Sequence, residues 1–250
     1  TASGLQIMSA LTGCIKTARA CNMINTGKRE DLYTMISDEM NTKLSLVDYV
    51  DRKLVKQPIM THYYNSKVVP AEAFNEAQLD VFYKVLDNAF EGAEALMETV
   101  NSFWNYDTDV HTWTLPDGHV ARVPVVEMAD TRIEVDELEH RTFTYRYAKQ
   151  QPSTNFKSLV ANIIHSVDGY IAREMVRRST FDLVHIHDCF VFSPEYMQDV
   201  SQLYRLIMVE IADSNLLSDI LSEIRGEYIE VNKLTNTLSV EIAKSEYMLS

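Results

Sequence analysis

The sequence is poor in cysteine, glycine and proline, and it has no long hydrophobic run. Its three cysteines, Cys14, Cys21 and Cys189, are an odd number without metal-ligand spacing, which predicts reduced thiols in a cytoplasmic protein. Seven glycines, six prolines and 46% hydrophobic residues argue against a disordered chain. No apolar run approaches the roughly 20 residues that cross a bilayer, and no signal peptide opens the chain, so we expect no membrane association.

Basic residues are scarce relative to acidic ones. The 23 lysines and arginines are outnumbered by 36 aspartates and glutamates, which gives a formal net charge of -13. A nucleic-acid binder usually has a basic surface, because neutralised phosphates release their counterions. Composition alone therefore favours an acidic enzyme or an interaction domain. Any chemistry on nucleic acids has to rest on local motifs and on a basic cleft within an acidic shell.

The 250 residues can bury a full core, as one large domain or two interleaved subdomains. Apolar periodicity predicts an α+β fold that is mostly helical with a small antiparallel sheet. Helices are predicted over 3–20, 30–43, 46–64, 71–104 (one helix or two in series), 153–178 and 194–224, followed by a short helical tail. Strands are predicted over 110–115 and 119–126, as a hairpin around Pro116-Asp117-Gly118, and over 142–147, 181–187 and 189–192.

One candidate site is a carboxylate between two short apolar runs. Asp188 separates the β-prone residues 184–186 from residues 189–192. An aspartate at such a tight turn projects from a rigid sheet, which suits a metal ligand. Taken alone, an aspartate that caps a hairpin turn is the more common explanation. The nearby His185 and His187 share a strand face, but two histidines without further ligands are more often packing residues than a zinc site.

A second candidate site follows a predicted helix. Arg52, Lys56 and either Tyr63 or Tyr64 are spaced by about one helical turn or its multiples, so they can share a face. Two cations and an aromatic ring suit a triphosphate and its sugar or base. Taken alone, a solvated basic edge with a buried tyrosine is the slightly better explanation.

Together, and in their order along the chain, the motifs resemble those of the single-subunit RNA polymerases of phages and mitochondria. Motif A of that family reads Asp-Gly-Ser/Thr-x-Ser-Gly-Ile/Leu-Gln, and this sequence matches it from just after the Asp-Gly with Thr1-Ala2-Ser3-Gly4-Leu5-Gln6. Motif B is matched by Arg52, Lys56, Met60-Thr61 and Tyr64. Motif C, His-Asp-Ser, is matched by His187-Asp188-Cys189.

Further family elements extend the resemblance over nearly the whole chain. They are Asp31-Leu32-Tyr33, His165-Ser166-Val167-Asp168-Gly169 and a terminal foot at residues 244–250. Three positions depart from the pattern. Asn65 stands where a glycine usually follows the motif B tyrosine, and Cys189 replaces serine. Pro58 interrupts the motif B helix and removes one backbone hydrogen bond.

The resemblance implies a hand-like polymerase fold. It divides the chain into a palm segment after motif A (1–45), fingers (46–106), a region like the family's specificity hairpin (107–150), a palm part with motif C (151–225) and a C-terminal foot (226–250). It also implies template-directed RNA synthesis by two Mg²⁺ ions, held about 3.5–4 Å apart.

The same resemblance implies a role for each site residue. Asp188 would hold both Mg²⁺ ions together with a motif A aspartate. Arg52 and Lys56 would bind the triphosphate of the incoming nucleotide, and Tyr64 would lie at the ribose and reject deoxynucleotides. His165 would lie near the new base pair, and Tyr33 would line the same pocket.

The resemblance also implies partners. The family's first metal-binding aspartate precedes the position matched by Thr1 by two residues, so we expect a further polypeptide to supply it and the N-terminal domain, as in the heterodimeric RNA polymerases of some phages. Alone, the chain is expected to be inactive. The other partners are ribonucleoside triphosphates, the RNA product and a DNA template. Residues 127–139 contain six carboxylates and only Arg132 as a cation, which predicts a single-stranded or factor-opened template.

Two other functions are compatible with part of the sequence. A family A DNA polymerase shares the Arg-x-x-x-Lys motif but has His-Asp-Glu in motif C, where Cys189 is not a carboxylate, and Met60-Thr61 is typical of the RNA polymerases. A non-catalytic scaffold protein would account for the acidic charge and the motif A aspartate missing from the match.

Overall fold

The computed structural model describes residues 2–152, 158–186 and 189–249, with the side chains of 150–152 excepted. The described part is mostly helical with small antiparallel sheets, as expected for an α+β fold. The helices are α1 Ser3–Thr12, α2 Ile15–Ala20, α3 Leu32–Asn41, α4 Arg52–His62, α5 Val68–Ala73, α6 Glu76–Ala89, α7 Glu91–Ser102, α8 Ser158–Arg178, α9 Met197–Asp213, α10 Leu216–Arg225 and α11 Leu238–Ile242. None of these helices is both long and apolar enough to span a membrane.

Several long predicted helices are in fact divided. The predicted helix 3–20 is wrong because Gly13 adopts a left-handed conformation (φ 69°) that ends α1. A Cβ at Gly13 would also collide with the carbonyl oxygen of Thr235. Residues 71–104 lie in three helices, since α5 extends over Val68–Ala73 and Asn75 starts α6 with a capping box to Gln78.

Two further helices differ from their predicted bounds. Residues 46–64 form a short 3-10 turn, Leu46–Asp48, before α4. Residues 194–224 form another 3-10 turn and then α9 and α10, because Ser214 is extended (ψ 165°). The predicted start of α8 at residues 153–157 lies outside the described residues.

The strands form three separate two-stranded sheets in the described part, where one sheet was predicted. They are β1 Val110–Thr114 with β2 Val120–Pro124, β3 Val126–Val135 with β4 Arg141–Pro152, and β5 Leu183–Ile186 with β6 Cys189–Phe192. The hairpin around residues 116–118 is confirmed. Strand β3 was missed because its acidic residues lie on an exposed ribbon, so burial does not impose an apolar alternation.

Helix α1 lies in the core. Ile7, Met8 and Ala10 are fully buried, and α1 packs against α7, α8 and α9. Gln6 is 2% exposed and donates through Nε2 to the carbonyl oxygens of Cys21 and Met248, at 2.8 and 3.1 Å. Because α1 is held this firmly, its N-terminal residues form a fixed wall for the cavities beside them.

Candidate functional site

The N-terminal half of α4 brings three of the predicted site residues together. Asp51 caps the helix by accepting the Leu54 N–H at 2.7 Å. The Arg52 guanidinium lies 5.4 Å from the ring centroid of Tyr33, and the Lys56 Nζ lies 5.8 Å from it. Two cations therefore lie against one aromatic ring, within the range of cation–π attraction.

Asp31 completes this group, and the sequence analysis did not assign it a role. It caps α3 by accepting the N–H groups of Tyr33 and Thr34, and it accepts from the Arg52 Nε at 2.5 Å. Its partial burial opposes ionisation, but the hydrogen bonds from Arg52 and Thr34 outweigh this and lower the pKa of Asp31. Asp31 is thus a carboxylate at neutral pH and balances Arg52. Lys56 has no ion-pair partner among the described residues.

Tyr33 lies between these charges and the cavity beside α1. Burial raises the pKa of the Tyr33 phenol, although the charge of Arg52 acts in the opposite direction. The phenol is therefore neutral at physiological pH and can donate a hydrogen bond. A cavity of about 80 Å³ is lined by Tyr33, Met60 and Tyr64 together with residues 2–5 of α1 and its cap.

The end of α4 brings together the other two predicted residues, Tyr64 and His165. Their rings stack with centroids 4.7 Å apart and planes 7° from parallel. The Tyr64 hydroxyl lies 3.3 Å from the place where a Cβ on Gly4 would stand. A glycine at this position therefore lets the tyrosine approach α1 closely.

Tyr63 and Tyr64 were both candidates, and they face different environments. Tyr63 is 3% exposed and packs edge-on against His62 and Phe90, with centroids 4.9 and 5.9 Å away. Tyr64 is partly exposed and stacks on His165. Both tyrosines line the 80 Å³ cavity, but Tyr63 is otherwise a core residue, and Tyr64, the more exposed of the two, is the better placed to contact a ligand.

Asn65 stands where a glycine usually follows the motif B tyrosine, and its backbone conformation explains why asparagine fits there. Its φ is 64°, in the left-handed region that glycine adopts without cost. Asparagine tolerates this region better than other side chains. The backbone turn that a glycine would make after the motif B tyrosine is therefore present here with asparagine.

A larger cavity, of about 560 Å³, lies beside the β5–β6 hairpin. It is lined by Ser3, Asp168, His185, Cys189, Tyr204 and Glu246, among others. His187 and Asp188 lie outside the described residues, as does Thr1. The carboxylates of Asp168 and Glu246 and the hydroxyl of Ser3 supply oxygen donors of the kind that Mg²⁺ prefers. These donor types suit a magnesium ion, but no three of the described His, Cys, Asp and Glu side chains that line this cavity lie close enough together to hold one.

The β3–β4 ribbon carries more positive charge than residues 127–139 alone indicate. Asp130 pairs with Arg146 at 2.9 Å, and Glu127 pairs with Lys149 at 3.1 Å. At the tip, His140 contacts Glu134 and Asp136 at 2.7 and 3.2 Å. In the described part of the chain, these three are the only group of His, Cys, Asp or Glu close enough to share a metal ion, and they are exposed, outside the predicted site.

Comparison with known proteins finds similar sequences among RNA polymerases. Residues 1–115 match the family model for DNA-dependent RNA polymerase. The chain is 24% identical over 281 residues to "DNA-directed RNA polymerase 3, chloroplastic" of Nicotiana sylvestris, covering 90% of this chain and 28% of that relative. It is 23% identical over 279 residues to "DNA-directed RNA polymerase 2A" of Nicotiana tabacum, covering 90% of this chain and 81% of that relative. The chain is accordingly a relative of the single-subunit, phage-type DNA-dependent RNA polymerases.

Proposed function

We propose that this chain is the catalytic portion of a DNA-dependent RNA polymerase that joins ribonucleotides under the direction of a template. The observation that carries the proposal is the convergence of Arg52, Lys56 and Tyr33 with the Tyr64–His165 stack along one helix. The hand-like division into palm, fingers, hairpin region and foot is part of the same proposal, as is nucleotide binding on α4.

The triphosphate would bind at the N-terminal half of α4. Lys56 offers an ammonium that forms no ion pair with the described residues, and Arg52 offers a guanidinium whose present partner is Asp31. Both side chains of that pair are about half exposed, at 51% and 41%. Exposed ion pairs contribute only about 0–1 kcal/mol, so a triphosphate can draw Arg52 away from Asp31 at small cost.

The sugar and base would bind where Tyr64 stacks on His165. The Tyr64 hydroxyl faces the start of α1, in a cavity that also contains Tyr33. The Tyr64 hydroxyl would pair with a ribose 2′-hydroxyl, whereas a deoxyribose would leave it unpaired, which is costly when such groups are buried. Two Mg²⁺ ions held by Asp188 would activate the 3′-hydroxyl and stabilise the pyrophosphate leaving group.

Replacing Tyr64 with Phe tests this proposal. We expect Tyr64→Phe to keep most RNA synthesis but to incorporate deoxynucleotides, because the stack on His165 remains and only the hydroxyl is lost. The measurement is the ratio of kcat/KM for a ribonucleotide to that for the matching deoxynucleotide. It is made on the chain together with the polypeptides that copurify with it.

Tyr63→Phe is the matched control, since the same atom is removed from the neighbouring, buried ring. That variant should discriminate as wild type does. Unchanged discrimination in Tyr64→Phe would remove Tyr64 from the sugar site. A wild-type assembly that prefers deoxynucleotides would favour a DNA polymerase, and one that incorporates neither would favour a scaffold protein.

The proposal includes a single-stranded or factor-opened template. Residues 126–149 contain six carboxylates and four lysines and arginines, and two of those cations already pair with carboxylates of the ribbon. Such a surface neutralises few duplex phosphates. We expect the purified assembly to initiate on single-stranded DNA and not on plain linear duplex. Specific initiation on that duplex without added proteins would refute this.

A further inference from the structure

Helix α4 is interrupted between its two functional halves. Pro58 has no N–H to donate to the carbonyl of Leu54, so one backbone hydrogen bond of the helix is absent. The Thr61 hydroxyl donates to the carbonyls of Gln57 and Pro58, at 2.9 and 3.2 Å, a contact that tends to bend helices. The half with Arg52 and Lys56 therefore does not by itself fix the half that leads to Tyr64.

Two polar pairs hold the second half from outside the motif. The His62 Nε2 lies 2.8 Å from Oε1 of Glu94, and the Asn65 Nδ2 donates to Oδ1 of Asn101 at 3.0 Å. Glu94 and Asn101 are seven residues apart on α7 and so lie on one face of that helix. We call these two pairs the helix-end latch.

The first pair of the latch lies in an aromatic environment. His62 is 5% exposed, and its ring packs against those of Tyr63, Phe82 and Tyr83, at centroid distances of 4.9, 6.2 and 5.6 Å. A hydrogen bond in such surroundings is stronger than in water, and losing one partner leaves the other buried and unsatisfied. The pair is therefore a specific anchor, unlike the exposed ion pairs elsewhere on the surface.

We propose that the helix-end latch positions Tyr64 and thereby sets sugar discrimination, independently of triphosphate binding. Tyr64 lies between the latched residues His62 and Asn65, and it presents its ring to His165 and its hydroxyl to α1. His62 and Glu94 act through Tyr64 and are positioning residues. The inference rests on the proposed nucleotide site and adds a determinant that lies outside motif B, on α7.

The test separates the two halves of α4 in the assembled enzyme. In Glu94→Ala and His62→Leu, we expect the ribonucleotide-to-deoxynucleotide ratio of kcat/KM to fall roughly tenfold, because small misplacements of a positioning group have effects of this size or larger. Inhibition by inorganic tripolyphosphate, which reports on Arg52 and Lys56, should stay within about twofold of wild type. His62→Gln keeps a hydrogen-bond donor and should recover most of the discrimination.

Glu98→Ala is the matched control. Glu98 is exposed and lies one turn further along α7, so both readouts should stay at wild-type values. Asn65→Gly is a second probe, since it keeps the left-handed backbone and removes the contact with Asn101. Reduced discrimination in Asn65→Gly supports the latch, and wild-type discrimination there means that only the backbone turn matters.

Amide hydrogen exchange provides a readout that does not depend on activity. Exchange at residues 63–65 should accelerate in Glu94→Ala and His62→Leu but not at residues 52–56, since the Asn65 amide bonds to the His62 carbonyl at 2.7 Å in the latched turn. Wild-type exchange and discrimination in a folded Glu94→Ala would overturn the latch. If Arg52→Ala leaves tripolyphosphate inhibition unchanged while the latch variants still accelerate exchange, the proposed triphosphate site fails and the latch remains.

Discussion

Replacing Asp188 with Asn should reduce RNA synthesis at least about a thousandfold while the fold and template binding remain. A hard cation requires carboxylate oxygen, and a neutral amide ligates it weakly. Metal ions contribute several kcal/mol of transition-state stabilisation, and each 1.4 kcal/mol is tenfold in rate. Asp188 immediately precedes Cys189, which lines the 560 Å³ cavity with Asp168 and Glu246. The loss should therefore appear in the rate and not in the stability.

The measurement is primed extension on a single-stranded template with Mg²⁺, by the chain with its copurifying polypeptides. Thermal melting and template binding are recorded on the same samples. Asp182→Asn makes the same change just before β5 and should extend as wild type does. Near-normal synthesis by Asp188→Asn would remove the metal assignment, and with it the match of His187-Asp188-Cys189 to motif C.

Replacing Glu174 with Ala should lower the free energy of unfolding by about 3 kcal/mol, near the low end for breaking a buried ion pair. Glu174 is 2% exposed on α8 and accepts from Arg177 and Arg178 at 2.6–2.7 Å. Arg178 continues to Glu210 on α9 through two contacts of 2.7 Å. Without Glu174, the partly buried Arg178 loses one of its two carboxylates and keeps only Glu210, so the arginine that links α8 to α9 is held less firmly.

Denaturant unfolding at neutral pH measures this loss, with Arg177→Ala as the control. Arg177 is 66% exposed on its side chain, so its removal should cost far less than that of Glu174, because exposed ion pairs contribute little to stability. A cost for Glu174→Ala as small as that of the control would show that the network contributes little to stability.

Acidification gives a second check on Glu174. The hydrogen bond from Arg177 lowers the pKa of Glu174 despite its burial. Its contribution is therefore complete above the ordinary glutamate pKa of 4.5 and is lost as pH falls through the lower folded-state value. The difference between wild type and Glu174→Gln should accordingly shrink below pH 4.5. A difference that is constant down to the acid limit would show that the charge is not what stabilises this contact.

Periodicity was sufficient to predict the helical character and the β1–β2 hairpin, because buried faces impose their spacing on the sequence. It was not sufficient to divide the helices. The break occurs at Gly13, which is left-handed and lies so close to the carbonyl of Thr235 that a side chain would collide with it, and Thr235 is more than 200 residues away along the chain. Strand β3 lies on a ribbon with little burial, so its sequence carries no alternation that predicts it.

The site was predicted in part, for a similar reason. The turn spacing of Arg52 and Lys56 placed both on one helix face, and the structure brings Tyr33 to that face. The same spacing could not choose between Tyr63 and Tyr64, since only the packing of Phe90 and His165 separates them. Asp31 and Glu94 were missed because both reach α4 from other helices, at distances along the chain that no local pattern records.

The β3–β4 ribbon is largely exposed on both faces, so its length and charge are not tied to the core. Lengthening a flexible connection costs only about 0.6 kcal/mol for each doubling. A change in the length or charge of the ribbon therefore costs little stability. A change in α1, in contrast, disturbs every helix that packs on it. Under the proposed function, template preference could therefore diverge rapidly between related polymerases while the residues of the nucleotide site stay as they are. For the same reason, the tip near Leu138 is a suitable place for a fluorescent reporter.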